Sequence, residues 1–168
     1  MDCKIRKWRQ SDAKSLSELL NNKKILDNLR DGLPFPYTEE DARLYIEAML
    51  SADTDSVFAF AIEFGGQIVG SIGVFRQENI HSKTAEMGYY IGENYWNKGI
   101  ATTAIKQTYD FVFRNSNIIR IYAEPFARNA ASCRALEKAG FQCEGTLRAN
   151  AVKNGVVEDM KMYSIIKL

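Results

Sequence analysis

The residues best spaced for chemistry are Tyr95-Trp96-Asn97-Lys98-Gly99-Ile100-Ala101-Thr102, where a glycine turn opens a long amphipathic pattern. The first backbone N–H groups of a helix lack intrahelical acceptors, and the macrodipole adds partial positive charge there. Such a turn can cradle an anionic group, phosphate included. Gly99 permits a close approach that a β-carbon would hinder, and Ala101 continues the small surface. Lys98 is either a solvated turn lysine or a charge facing the same anion. A glycine between strand and helix is also an ordinary turn, so other residues must decide. Glu86 opens the apolar run Thr84 to Gly92, where an acidic side chain is either a solvated edge position or a proton acceptor. Asn129 is a strong N-cap for the pattern starting at Ala130. Ser132 falls on the same side of that first turn, where a serine is ordinarily a neutral surface residue. Cys133 points about 100° away from Ser132. With no histidine nearby to form a thiolate, it reads as core packing.

These groups require elements to hold them. Cys3 to Trp8 reads as a strand, and Ser11-Asp12 as the N-cap of a helix through Leu16, Leu19 and Leu20. A helical pattern continues through Ile25, Leu26 and Leu29 to Asp31-Gly32. The prolines of Leu33-Pro34-Phe35-Pro36-Tyr37 exclude regular helix. Thr38 to Asp41 resembles a capping box for a helix burying Ala42, Tyr45, Ile46 and Met49. Val57–Phe64 and Gln67–Phe75 flank Gly65-Gly66 as a hairpin. The strand carrying Glu86 follows, then a helix from Gly99 to Arg114, a strand from Ile118 to Glu124 and a helix from Ala130 to Ala139. Strands from Cys143 to Arg148 and Val156 to Ile166 end the chain, with Asn154-Gly155 as their turn. The expected fold is α/β, a mixed central sheet of about seven strands flanked by helices, in a single domain over 1–168.

In order and spacing, Glu86-Met87-Gly88-Tyr89, Tyr95 to Thr102, Asn129 to Ser132, Glu137-Lys138-Ala139-Gly140-Phe141 and Glu144-Gly145 resemble the GNAT family of acyl-CoA-dependent N-acetyltransferases. The likeness is to the RimJ/RimL-like branch, which acetylates ribosomal protein N-termini, and it extends over nearly the whole chain. It implies acetyl-CoA as cosubstrate and a primary-amine acceptor: a protein N-terminus, or a small amine such as a polyamine, amino sugar or amino acid. It places the pyrophosphate on the backbone from Trp96 and Asn97 through Lys98, Gly99, Ile100 and Ala101 to Thr102. Tyr89, Tyr90 and Ile91 would offer backbone partners to pantetheine in a gap between strands, with Gly88 and Gly92 accommodating a bend or bulge. The resemblance gives the Asn129 amide a bond to pantetheine, in competition with its capping role. Ser132 would touch the coenzyme sulfur and protonate the thiolate, while no clear tyrosine is found for that task. Glu86 becomes the candidate base, directly or through water, with Glu158 and Asp159 as alternative amine-orienting groups or surface residues. Trp96 and the loop with Phe35 and Tyr37 would line the acceptor site, or merely pack.

Composition sets outer bounds. Lys plus Arg number 22 against 21 acidic residues, which gives no global argument for nucleic acid. No apolar run is long enough for a membrane span, and no apolar signal region follows Met1. Three cysteines without metal spacing suit a reducing cytoplasm. His81 is the only histidine, which excludes a multi-histidine metal site, so no metal is expected. Neither G-x-x-x-x-G-K-[ST] nor G-x-G-x-x-G occurs, which disfavours P-loop and Rossmann nucleotide enzymes. A non-catalytic acyl-CoA-binding module would keep the cradle but lose Glu86 and Ser132. A homodimer is compatible with the resemblance, though no segment identifies an interface.

Overall fold

The computed structural model describes residues 1–168. Its strands are β1 (Cys3–Arg6), β2 (Val57–Phe64), β3 (Gln67–Arg76), β4 (Thr84–Ile91), β5 (Arg120–Ala123), β6 (Gln142–Lys153) and β7 (Val156–Ile166). The helices are α1 (Ala13–Leu20), α2 (Lys23–Leu26), α3 (Glu39–Ser51), α4 (Ile100–Asn115) and α5 (Ala130–Lys138). One seven-stranded mixed sheet runs β1-β2-β3-β4-β5-β7-β6, as the sequence leads one to expect. Only β4 and β5 are parallel, because α4 supplies the crossover that a parallel pair needs. Helices cover both faces. One core packs Ile100, Ala104, Ile105 and Val112 of α4 and Leu136 of α5 against Ile62, Ile72, Val74 and Ile121 of the sheet. The other gathers Trp8, Leu16, Leu20, Ile25, Ala42 and Ile46.

Local signals behave as their chemistry dictates. Thr38 and Asp41 exchange both capping-box hydrogen bonds, and Gly65-Gly66 and Asn154-Gly155 turn their hairpins with positive φ throughout. Four expectations change. Asp12 does not cap α1; its carboxylate instead accepts bonds from the Arg6 guanidinium at 2.9 Å and the Arg9 backbone N–H at 2.8 Å. The helical pattern after Asn22 closes after one turn, Lys23–Leu26, and residues 27–33 form turns and loop. β6 continues to Lys153 across an irregularity between Leu147 and Ala151, where Ala149 has φ 51°. Gly88 and Gly92 mark no bulge, because β3 and β4 stay in register from Arg76↔Ala85 to Gly70↔Ile91. A β-carbon on Gly92 would instead lie 2.5 Å from Leu19 Cδ2.

The break in the sheet positions the site. β5 pairs with β4 only at Thr84↔Arg120, Ala85↔Ile121 and Glu86↔Tyr122, so Met87 to Ile91 have a sheet neighbour on one side only. Beyond β5 the chain follows β7 instead. Lys161 N–H donates to the Pro125 carbonyl and Ala127 N–H to that of Asp159, each at 2.9 Å.

Candidate active site

A cavity of about 1020 Å³ fills the gap between the free side of β4, the turn before α4 and the start of α5. Glu86, Tyr89 to Ile91, Trp96 to Thr102, Asn129 and Ser132 all line it. Phe35 and Tyr37 do not. Tyr37 is buried in the core with Trp8 and Leu16, and Phe35 lies exposed beneath the Lys23 ammonium. The loop side of the cavity comes from residues 28–33, just before the expected segment. Asp159 and Glu158 are also elsewhere, bonded to Ala149 N–H at 2.7 Å and to Arg128 Nε at 2.9 Å.

At one end the backbone is arranged for an anion. Asn97 and Gly99 both take positive φ, 60° and 75°, which turns successive amides to a common side. None of the N–H groups from Asn97 to Thr102 donates a hydrogen bond within the protein. Trp96 Nε1 donates to the Ile91 carbonyl at 2.8 Å, tying this turn to the end of β4. Lys98, Arg134 and Lys138 line the same cavity without an ion-pair partner. Free amides plus unpaired cations fit a diphosphate, and the one-sided β4 backbone fits an extended amide-bearing arm beside it. The contribution of Arg134 and Lys138 was not foreseen. Their spacing on α5, four apart, marks one helix face.

In the middle lie hydroxyls. Tyr89 Oη sits 2.6 Å from Ser132 Oγ, and either can donate. Burial pushes the Tyr89 phenol up to about 12, only partly offset by Ser132, so it stays protonated at neutral pH. The sequence reading has Tyr89 contribute backbone alone; in the structure its side chain also lines the cavity and meets Ser132. The alternation of side chains along β4 was the available clue, but nothing in the sequence placed Ser132 opposite it. Asn129 Oδ1 accepts from Ser132 N–H at 3.2 Å, so the cap forms, while its amide NH₂ makes no bond within the protein. Cys133 is buried in the core, as expected.

The far end is acidic. Glu86 accepts from Tyr122 Oη at 2.9 Å with one oxygen and from Arg30 with the other. Glu124 Oε2 stands 3.7 Å from the same Arg30 nitrogen, and no hydrogen bond reaches its side chain. Burial, together with the charge of Glu86, raises the Glu124 carboxyl above its ordinary range, against the pull of Arg30. Glu124 was legible in principle, since it follows β5 directly, two residues beyond Tyr122, the β5 partner of Glu86. Arg30 carried no signal. Arg30 and Glu124 also border a second cavity of about 320 Å³, which reaches Asn150 and Lys153 on β6. Among His, Cys, Asp and Glu, no group of three or more could hold a metal.

Comparisons with known sequences and structures bear on the family and the fold. The sequence model of the Acetyltransferase (GNAT) domain matches residues 3–142. A protein named probable N-acetyltransferase YjcK, from Bacillus subtilis strain 168, is 33% identical over 133 residues, covering 77% of this chain and 74% of YjcK. RimL, the ribosomal L7/L12 α-N-protein acetyltransferase, solved with coenzyme A, superposes with TM-score 0.85 at 23% identity, over 99% of this chain and 94% of that one. The microcin C7 self-immunity acetyltransferase MccE, solved with acetyl-CoA and AMP, gives TM-score 0.84 at 25% identity, over 99% and 93%.

Proposed function

This chain belongs to the GNAT acetyltransferases, and from that premise we propose that residues 1–168 act as one domain transferring acetyl from acetyl-CoA to a primary amine by direct attack. The observation that carries the reading is the run of unpartnered amides from Asn97 to Thr102, in one cavity with Ser132–Tyr89 and Glu86. The amides of the turn would hold the diphosphate, with Lys98, Arg134 and Lys138 as supporting charges. Tyr89 to Ile91 and the Asn129 amide would align the pantetheine. Ser132, held by Tyr89, would protonate the departing thiolate; a thiol ionises near 8.5, so a hydroxyl donor suffices. The Glu86/Glu124 carboxylates would take the proton that the attacking ammonium must lose.

An α-amino group is the preferred acceptor. Its pKa of roughly 8 leaves part of it neutral at pH 7, whereas a lysine near 10.4 would demand a stronger base. This supports a protein N-terminus, in keeping with the named activity of RimL. A small amine is the second reading, favoured by the modest second cavity of about 320 Å³. The Ser132–Tyr89 pair and the acidic pair argue against a mere acyl-CoA-binding module. No helix is long and apolar enough to cross a membrane, and the three free cysteines suit a reducing cytoplasm. Acetyl-CoA turnover measured against N-terminal peptides and small amines tests the proposal. Acetylation of at least one amine class is expected, and coenzyme binding without any amine product would leave only the binding-module reading.

A further inference from the structure

The acidic end of the cavity holds an uneven charge arrangement. Glu86 and Glu124 are mostly buried, with side chains 22% and 20% exposed, yet one cation serves both. That cation is Arg30, 68% exposed and carried on the loop after α2 rather than on the sheet. Glu86 is engaged on both oxygens, by Arg30 and Tyr122. Glu124 is not; its nearest cation is the Arg30 nitrogen at 3.7 Å. The other basic residue nearby, Lys153, is bonded to Asp31 at 2.8 Å. Arg30 and Glu124 stand where the two cavities meet, so an amine arriving from the β6 side meets them before the hydroxyls.

We propose that Glu124 receives the acceptor's ammonium group, and that Arg30 is a tethered cation occupying this position until an amine displaces it. The inference rests on the acetyl-transfer reading above and specifies its acceptor site: a cationic primary amine, selected by exchange of one positive charge for another. Glu86 stays anchored by Tyr122 throughout and orients the group beside Glu124. The ammonium gives one proton to the Glu124 carboxylate, which later releases it to solvent. The nitrogen lone pair forms the C–N bond to the acetyl carbon as the C–S bond breaks. The second nitrogen proton balances the thiolate, delivered to sulfur through Ser132, leaving an N-acetyl amine and a free thiol. A guanidinium is suited to hold the place without reacting, since it is protonated at all relevant pH values.

The test uses the full chain with ¹³C-labelled glutamate and propylammonium chloride as probe, read by the carboxyl signals of Glu86 and Glu124. In Arg30→Ala the Glu124 signal should respond at about tenfold lower probe concentration than in the unaltered protein, a difference of about 1.4 kcal/mol. Guanidinium chloride should reverse that response, and Arg30→Lys should restore the weaker binding. Equal or weaker probe binding in Arg30→Ala, or a response confined to Glu86, would overturn the proposal. Failure of coenzyme A to bind would count against the acetyl-transfer reading instead, and the amine titration of the coenzyme-free protein would still decide the role of Arg30.

Discussion

Ser132 is the residue whose loss should separate chemistry from binding. Its hydroxyl meets Tyr89 at 2.6 Å, while the proposed diphosphate cradle lies on another element. Ser132→Ala should lower kcat about a hundredfold, the lower side of general-acid contributions because thiolate is a good leaving group, with acetyl-CoA affinity little changed. Steady-state rates beside calorimetric acetyl-CoA binding check this, and full retained activity would defeat the sulfur-donor role. Glu86→Gln removes one carboxylate of the proton-accepting pair. Only Glu124 is then left to take the proton, without the neighbouring carboxylate that holds the ammonium beside it, so more of the amine must arrive already neutral and the kcat/KM profile should fall and move alkaline; an unchanged profile would contradict the assignment. Glu86, Asn129 and Ser132 were legible because each sits at an element start, where residue type and position have chemical meaning. Arg30 was not, because its significance lies in a contact spanning 56 residues of sequence.

Elements set two further expectations. Gly99 is the N-cap of α4 at φ 75°, and an added β-carbon would meet only the flexible end of Met1, so the cost of Gly99→Ala lies in the backbone conformation. A left-handed non-glycine residue costs about 1–2 kcal/mol, and relaxation of the turn should weaken coenzyme A binding by about tenfold in a titration. At the opposite edge, Arg120 grips Glu144 at 2.6 and 2.8 Å, and Ser164 donates to the same carboxylate. Arg120, followed by Ser164, lowers the Glu144 carboxyl to about 2. A depressed carboxyl contributes stability that is complete above the unfolded value near 4.3 and is lost as pH falls through about 2. Denaturant midpoints across this window should decline in the native protein and more shallowly in Glu144→Gln. Hairpins and the capping box could be read because glycine, asparagine and threonine signal locally. The length of β6 could not, since Ala149 breaks the alternation while Asp159, on the neighbouring strand, takes up its N–H.

For the whole molecule, coenzyme seated in the proposed site would bridge elements that otherwise part after Glu86. Binding to the folded state alone should stabilise by about 2.7 kcal/mol at a hundredfold excess over Kd, roughly a 5–10 °C rise in Tm for a chain of this size. A thermal scan with and without coenzyme A reads this directly, and an unmoved Tm would speak against binding to the native fold. The order of strands and helices, and with it the mixed sheet, was readable from periodicity and the late glycine turn. The depth of the gap was not, because it depends on where β5 leaves β4 to follow β7. The most direct test of the central claim is backbone amide NMR during titration with coenzyme A. The largest shifts should fall on Asn97 to Thr102, with smaller ones along Gly88 to Ile91. Shifts confined to other segments, or none at millimolar coenzyme, would contradict it.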